Sequence, residues 1–193
     1  MAIELTFSPL AMKCFFAITT TLLLATQAIA EELNSGPQVG EKLPGAFHPL
    51  NLTGEAAGKK NCLVCQNAEN PVAMIFARDI DANLIALIKK IDAATAANKK
   101  CEMGSFVVFC TPDEELEPKI KELGAKEKLK HCILAMDNPA GPRGYKIVKD
   151  ADITVVLYTY RVIKANYSFK KGAMTAADIE KILKDLPKIT TKE

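Results

Sequence analysis

Three short runs in the middle of the chain are apolar at nearly every position: Val72–Ala77, Ser105–Cys110 and His131–Met136. Runs of this length that leave neither face of a pleat polar predict strands covered on both sides, the habit of parallel sheets. Between them the period changes. Leu84, Ile85, Leu87, Ile88 and Ile91 fall at helical spacing over Asp81–Ala97, with Asp79 or Asp81 to cap the start and Lys99-Lys100 to complement the far end. Thr111, followed by Asp113, Glu114 and Glu115, predicts the cap and first turn of a second helix reaching about Leu129, weakened at Gly124. Ile153–Tyr158 and Val162–Phe169 predict a strand pair turning at Thr159–Arg161 without the usual Asn-Gly signal. Thr175 caps a last helix, Ala176–Leu186, whose Ile179, Ile182, Leu183 and Leu186 share one face.

The order is therefore β-α-β-α-β, then a hairpin and a helix. Right-handed crossovers make the first three strands parallel, and the hairpin adds antiparallel ones. With helices on both faces this is an α/β three-layer sandwich around a mixed sheet. Upstream, residues 31–40 carry Ser35, Gly36 and Pro37 and read as a flexible lead-in, followed by a turn at Leu43-Pro44-Gly45. Ala46–Leu52 is a short strand-like piece interrupted at Pro49, Thr53–Lys60 is a loop, and Asn138–Gly144 is a rigid one.

The first thirty residues change the picture. Lys13, the apolar run Phe15–Ala25 and the small-x-small site Ala28-Ile29-Ala30 have the pattern of a signal peptide, with Met12 an alternative start to Met1. The run is short for a membrane span, so no stable anchor is expected after cleavage, and the mature chain is periplasmic or secreted. Residues 41–188 then make a single domain, with a tail at 189–193. A net charge of +2 with mixed signs, no Trp and four Tyr argues against nucleic-acid binding. No cofactor is implied.

Of six cysteines, Cys14 lies in the leader, leaving Cys62, Cys65, Cys101, Cys110 and Cys132 for an oxidising compartment. Cys62-Leu-Val-Cys65 stands just before the first strand. In an extended chain two such residues lie roughly 10 Å apart, whereas a disulfide needs Cα atoms about 4.4–6.8 Å apart. The pair bridges only if the chain turns there, and Leu63 and Val64 are poor turn residues. Closing so small a ring stabilises by about 2 kcal/mol, against nearly 4 for a ring such as Cys101–Cys132. Redox couple, structural disulfide and metal ligand all stay open for the local pair. Its position away from a predicted helix start removes the usual means of lowering a thiol pKa, for which Lys59 and Lys60 partly substitute.

Topology adds a further expectation. Cys65, Cys101 and Cys132 precede or begin the three parallel strands, so Cys62, Cys65, Cys101 and Cys132 would gather along one sheet edge with His131 nearby. Such an edge would carry either two disulfides or a thiolate metal site. His131 reads as a strand-end histidine before a ligand. Cys110 ends the second strand at the opposite edge, near Arg78, as a small buried hydrophobe or a lone reactive thiol.

Val39-Gly-Glu-Lys-Leu-Pro-Gly-Ala-Phe47 with Leu52-Thr-Gly54, Asp137-Asn-Pro-Ala-Gly-Pro142, Tyr145-Lys-Ile147 and Ile153–Leu157 resemble the thioredoxin fold over roughly residues 38–187. The likeness is to exported redoxins, the TlpA-like proteins and peroxiredoxins, and to planctomycete-type members with the dithiol before the central strand. It implies thiol–disulfide exchange or redox sensing through Cys62 and Cys65, with thiol-containing proteins as partners. The alternatives are a non-catalytic binding domain stapled by disulfides and, more weakly, metal handling. Two departures stand out. The usual active-site position reads Ala77-Arg-Asp-Ile-Asp81 without cysteine, and Asp150-Ala-Asp-Ile-Thr154 lacks the proline that accompanies the dithiol. A peroxiredoxin-type cysteine in the first helix is missing as well.

Overall fold

Among the described residues six strands, β1 (Leu50–Asn51), β2 (Val72–Ala77), β3 (Gly104–Cys110), β4 (Cys132–Asp137), β5 (Ile153–Thr159) and β6 (Val162–Phe169), form one sheet in the order β1-β4-β3-β2-β5-β6. The computed structural model describes residues 33–191, so the leader expected over residues 1–30 lies outside the described residues. The apolar runs become β2 (Val72–Ala77), β3 (Gly104–Cys110) and β4 (Cys132–Asp137), all parallel. β5 (Ile153–Thr159) joins β2 antiparallel, and β6 (Val162–Phe169) completes the hairpin. β1, only Leu50–Asn51, lies antiparallel to β4 at the edge, because Pro49 and the loop behind it keep the rest of the expected strand out of the ladder.

The chain steps from β2 to β3 to β4 in one direction. Two right-handed crossovers in the same direction leave their helices on the same face. α2 (Ala82–Ala97) and α3 (Leu116–Lys126) accordingly share a core with Ala73, Ile75, Ala77, Val107, Phe109 and Leu134. α4 (Ala176–Lys184) and α5 (Pro187–Thr190) complete that layer, and Ile189, expected in a tail, is buried in it. The alternate residues Val72, Met74, Phe76, Phe106 and Val108 point the other way. Among the described residues that face has only the five-residue helix α1 (Leu63–Asn67), together with Phe47, Tyr145 and Ile147 from coil. Phe47 meets the edge of Tyr145 at 4.9 Å between centroids, and the Tyr145 hydroxyl donates to the Gly45 carbonyl. The sandwich is three-layered, with one thick layer and one thin.

Several local expectations need correction. Thr111 does not cap α3: its hydroxyl accepts from Asp113 N–H, the Asp113 carboxylate accepts from Glu115 N–H, and these turns delay the helix to Leu116. The lead-in is pinned. Ser35 is fully buried, with its hydroxyl joined to Thr154 Oγ1 and Val148 N–H, while Asn166 donates to the Ser35 and Pro37 carbonyls. Gly36, at φ +81, takes a backbone shape disfavoured for other residues, and a Cβ there would press on Thr154. The hairpin turns through Tyr160 and Arg161, both left-handed at φ 50 and 60, the geometry of a two-residue type I′ turn made without glycine.

Candidate redox site

Leu63 and Val64 explain why a turn forms where turn residues are missing. Both are fully buried in the core of the thin layer, and burying them folds the segment into the first turn of α1. Cys62, extended at φ −86 and ψ 94, becomes the N-cap. This corrects the expectation that the pair sits away from a helix start: five residues are too few for a periodic signal. The Cα atoms of Cys62 and Cys65 come to 5.2 Å and the two are joined as a disulfide. Cys65 N–H donates to Cys62 Sγ at 3.1 Å. Asn67 fixes the far end by donating to Leu63 O at 2.7 Å, and its side chain occupies the space a Cβ on Gly104 would need.

The two sulfurs are not equivalent. Cys62 is 6% exposed, whereas Cys65 is exposed. They lie in an open cleft of about 520 Å³ lined also by Asn51, Glu55, Lys59, Asn61, Gln66 and Ile133. Asn61 donates to Gln66 Oε1 at 3.1 Å on the exposed rim. Asn51, at the floor, is buried with neither carboxamide atom hydrogen-bonded. No sequence signal singles it out, since an Asn in a short edge strand carries no pattern of its own.

The expected four-cysteine edge does not assemble. Cys132 packs in the thick layer with the helices, and Cys62 in the thin layer across the sheet. Strand starts share an edge, but side chains take one face or the other, and the spacing leaves that choice unspecified. Cys101 and Cys132 are both free thiols, so the long-range bridge is not formed. Cys101 sits half-buried on a 3-10 turn, its thiol donating to Asn98 O. Burial pushes the Cys132 thiol up to about 12, with Ser105 opposing by a hydrogen bond and Asp92 adding to the rise. Asp92 accepts the backbone N–H groups of Lys130, His131 and Cys132, so His131 stands at a capped strand start, in keeping with a strand-end histidine. Among the described residues no three His, Cys, Asp or Glu side chains group as a metal site. Cys110 is 1% exposed and burial, aided by Asp137, raises its thiol to about 12, so the reactive-thiol reading gives way to the small buried hydrophobe.

At the opposite edge the segment directly after β2 carries no cysteine. Arg78, directly after β2, donates Nε to Ala151 O at 2.9 Å, Nη1 to Pro139 O at 2.7 Å and Cys110 O at 3.3 Å, and Nη2 to Val148 O at 3.1 Å. A guanidinium's fork of donors suits such a set of carbonyls. Asp79 pairs instead with Lys171 at 2.9 Å. Arg78 thereby ties the end of β3 to the connection between β4 and β5.

No family model matches the chain, and no curated protein matches it in sequence. Solved structures match it in fold. A candidate protein disulfide isomerase from Bacteroides thetaiotaomicron superimposes at TM-score 0.60 with 14% identity, covering 83% of this chain and 96% of that one. A peroxidoxin from Mycobacterium tuberculosis gives 0.55 and 14%, covering 82% and 99%. A secreted disulfide oxidoreductase from the same organism gives 0.51 and 12%, covering 74% and 96%. The chain thus has a thioredoxin-like α/β fold. In this chain the bonded pair, Cys62–Cys65, precedes the central strand β2.

Proposed function

We propose that the protein performs thiol–disulfide exchange through Cys62 and Cys65, with Cys65 as the sulfur that meets the partner. The observation that carries this is the asymmetry of the bridge: one cysteine exposed, the other buried with a backbone N–H aimed at its sulfur. A partner thiolate attacks Cys65 Sγ and forms a mixed disulfide. The Cys62–Cys65 bond breaks, and its electron pair leaves on Cys62 Sγ, where the Cys65 N–H favours the thiolate before it takes a proton. A second partner thiolate attacks the partner's sulfur in the mixed disulfide and releases Cys65 as thiolate, which is protonated in turn. Two partner thiols become one disulfide, and the protein's disulfide becomes a dithiol, with two electrons and two protons accounted for. The reverse sequence reduces a partner disulfide.

Partners on this reading are thiol-containing proteins, and the working compartment is the periplasm or the exterior. The leader pattern in residues 1–30 supports export, and among the described residues no helix is long and apolar enough to cross a membrane. The second reading, a binding domain with a structural bridge, draws on Arg78, which closes the edge where parallel sheets carry their ligands. An insulin-reduction assay separates the two. Turnover by the native chain that is lost in both Cys62→Ser and Cys65→Ser supports exchange; no turnover in the native chain supports the structural bridge.

A further inference from the structure

Asn51 stands beside the disulfide with a buried carboxamide that nothing in the fold uses. The residue is 1% exposed, and neither Oδ1 nor Nδ2 has a hydrogen-bond partner. Buried polar groups are nearly always paired, so one left open asks for a reason. Its backbone supplies none: Asn51 N–H donates to Lys59 O at 3.0 Å and its carbonyl accepts from Gly58 N–H at 2.8 Å, bonds any residue but proline would make. β1 pairs Asn51 with Ala135, a member of the core that also holds Cys62, so an aliphatic side chain would suit this position at no polar cost. Asn51 also lines the same cleft as Cys62, Cys65 and Ile133, with its two carboxamide atoms shielded from solvent.

We propose that Asn51 reads the main chain of a polypeptide whose cysteine exchanges with Cys65. A carboxamide offers NH donors on one side and a carbonyl acceptor on the other. One residue of an extended peptide offers the complement, a C=O and an N–H, and pairing with both satisfies the two orphan atoms at once. Ile133, half-buried in the cleft, gives a neighbouring side chain an apolar seat. Lys59 and the Gln66 that pairs with Asn61 are exposed side chains of the same cleft, and pairing with the shielded Asn51 atoms requires such groups to move. The recognised class is therefore a cysteine-bearing polypeptide segment bound through its backbone, in preference to a small thiol. This inference rests on the exchange reading for its chemistry, while its binding half stands separately.

Two measurements test it. The first compares the rates at which an acetylated, amidated Gly-Ala-Cys-Ala-Gly peptide and 2-mercaptoethanol reduce the Cys62–Cys65 bond in the native chain and in Asn51→Leu. Loss of two main-chain hydrogen bonds lowers the peptide-to-mercaptoethanol rate ratio about tenfold in the variant. The second needs no variant: the Asn51 side-chain amide resonances of the oxidised native protein shift when the same peptide with serine for cysteine is added. An unchanged ratio, or amide resonances that stay in place with the serine peptide, overturns the inference and leaves the exchange reading untouched. A native protein that shifts with the serine peptide yet is reduced by neither thiol supports the peptide site and overturns the exchange reading.

Discussion

The backbone N–H of Cys65 donates to the sulfur of Cys62 at 3.1 Å, so the buried end of the bridge is the end with a donor directed at it. When the bond opens, negative charge falls on one sulfur, and a donor already in position favours the thiolate there. On the exchange reading, exposure selects Cys65 for the partner, and hydrogen bonding selects Cys62 as the leaving group. The two roles arise from one turn of helix held by Leu63 and Val64.

That division predicts unequal thiols in the reduced protein. In Cys62→Ser the remaining Cys65 should be alkylated by iodoacetamide at least about tenfold faster than Cys62 in Cys65→Ser, because access to the sulfur limits the reaction. Mass spectrometry after timed quenching gives both rates. Equal rates would remove the assignment of Cys65 as the outward sulfur.

Arg78 is predicted to matter for stability and not for redox poise. Arg78→Met strips donors from the carbonyls of Cys110, Pro139, Val148 and Ala151. The expected loss is about 2–4 kcal/mol in denaturant unfolding, since charged donors to partly buried carbonyls are among the stronger hydrogen bonds. The Cys62–Cys65 reduction potential should stay at the native value. A changed potential with unchanged stability would mean that Arg78 acts on the pair and not on the fold.

The buried thiols predict a loss of stability in alkali. Cys110 and Cys132 have folded pKa values of about 12 against an ordinary 9.0. Above the ordinary value the unfolded chain gives up these protons while the folded chain holds them, so the unfolded state gains and stability falls as pH rises through that window. The slope is roughly 1.4 kcal/mol per pH unit for each thiol. Unfolding curves collected across the window should show a smaller fall for the Cys110→Ala, Cys132→Ala double variant than for the native chain. An equal fall in both would show that these thiols do not titrate apart in the two states.

Much of the fold was legible because it is local. The helix over Ala82–Ala97 begins at its expected cap, Asp81, and Thr175 closes a capping box with Asp178. The three apolar runs became the three parallel strands. What was illegible depends on distant partners. Ser35 is anchored by Val148, Thr154 and Asn166, and Arg78 by carbonyls from Cys110 to Ala151, none within reach of a sequence pattern. The site was half legible. The Cys62–Cys65 pair was visible, but α1 is too short for periodicity to announce, so the helix cap and the outward direction of Cys65 were not. The face taken by Cys132 was likewise hidden, because one residue of register separates the two sides of a strand.

On the exchange reading Cys62–Cys65 is a working couple. Its equilibrium reduction potential, read by titrating the native protein in defined thiol–disulfide buffers and counting alkylated cysteines, tests this directly. The predicted value lies above about −300 mV, in the range of catalytic dithiols at roughly −270 to −120 mV. A value below about −300 mV would mark the bond as a structural bridge and contradict the claim.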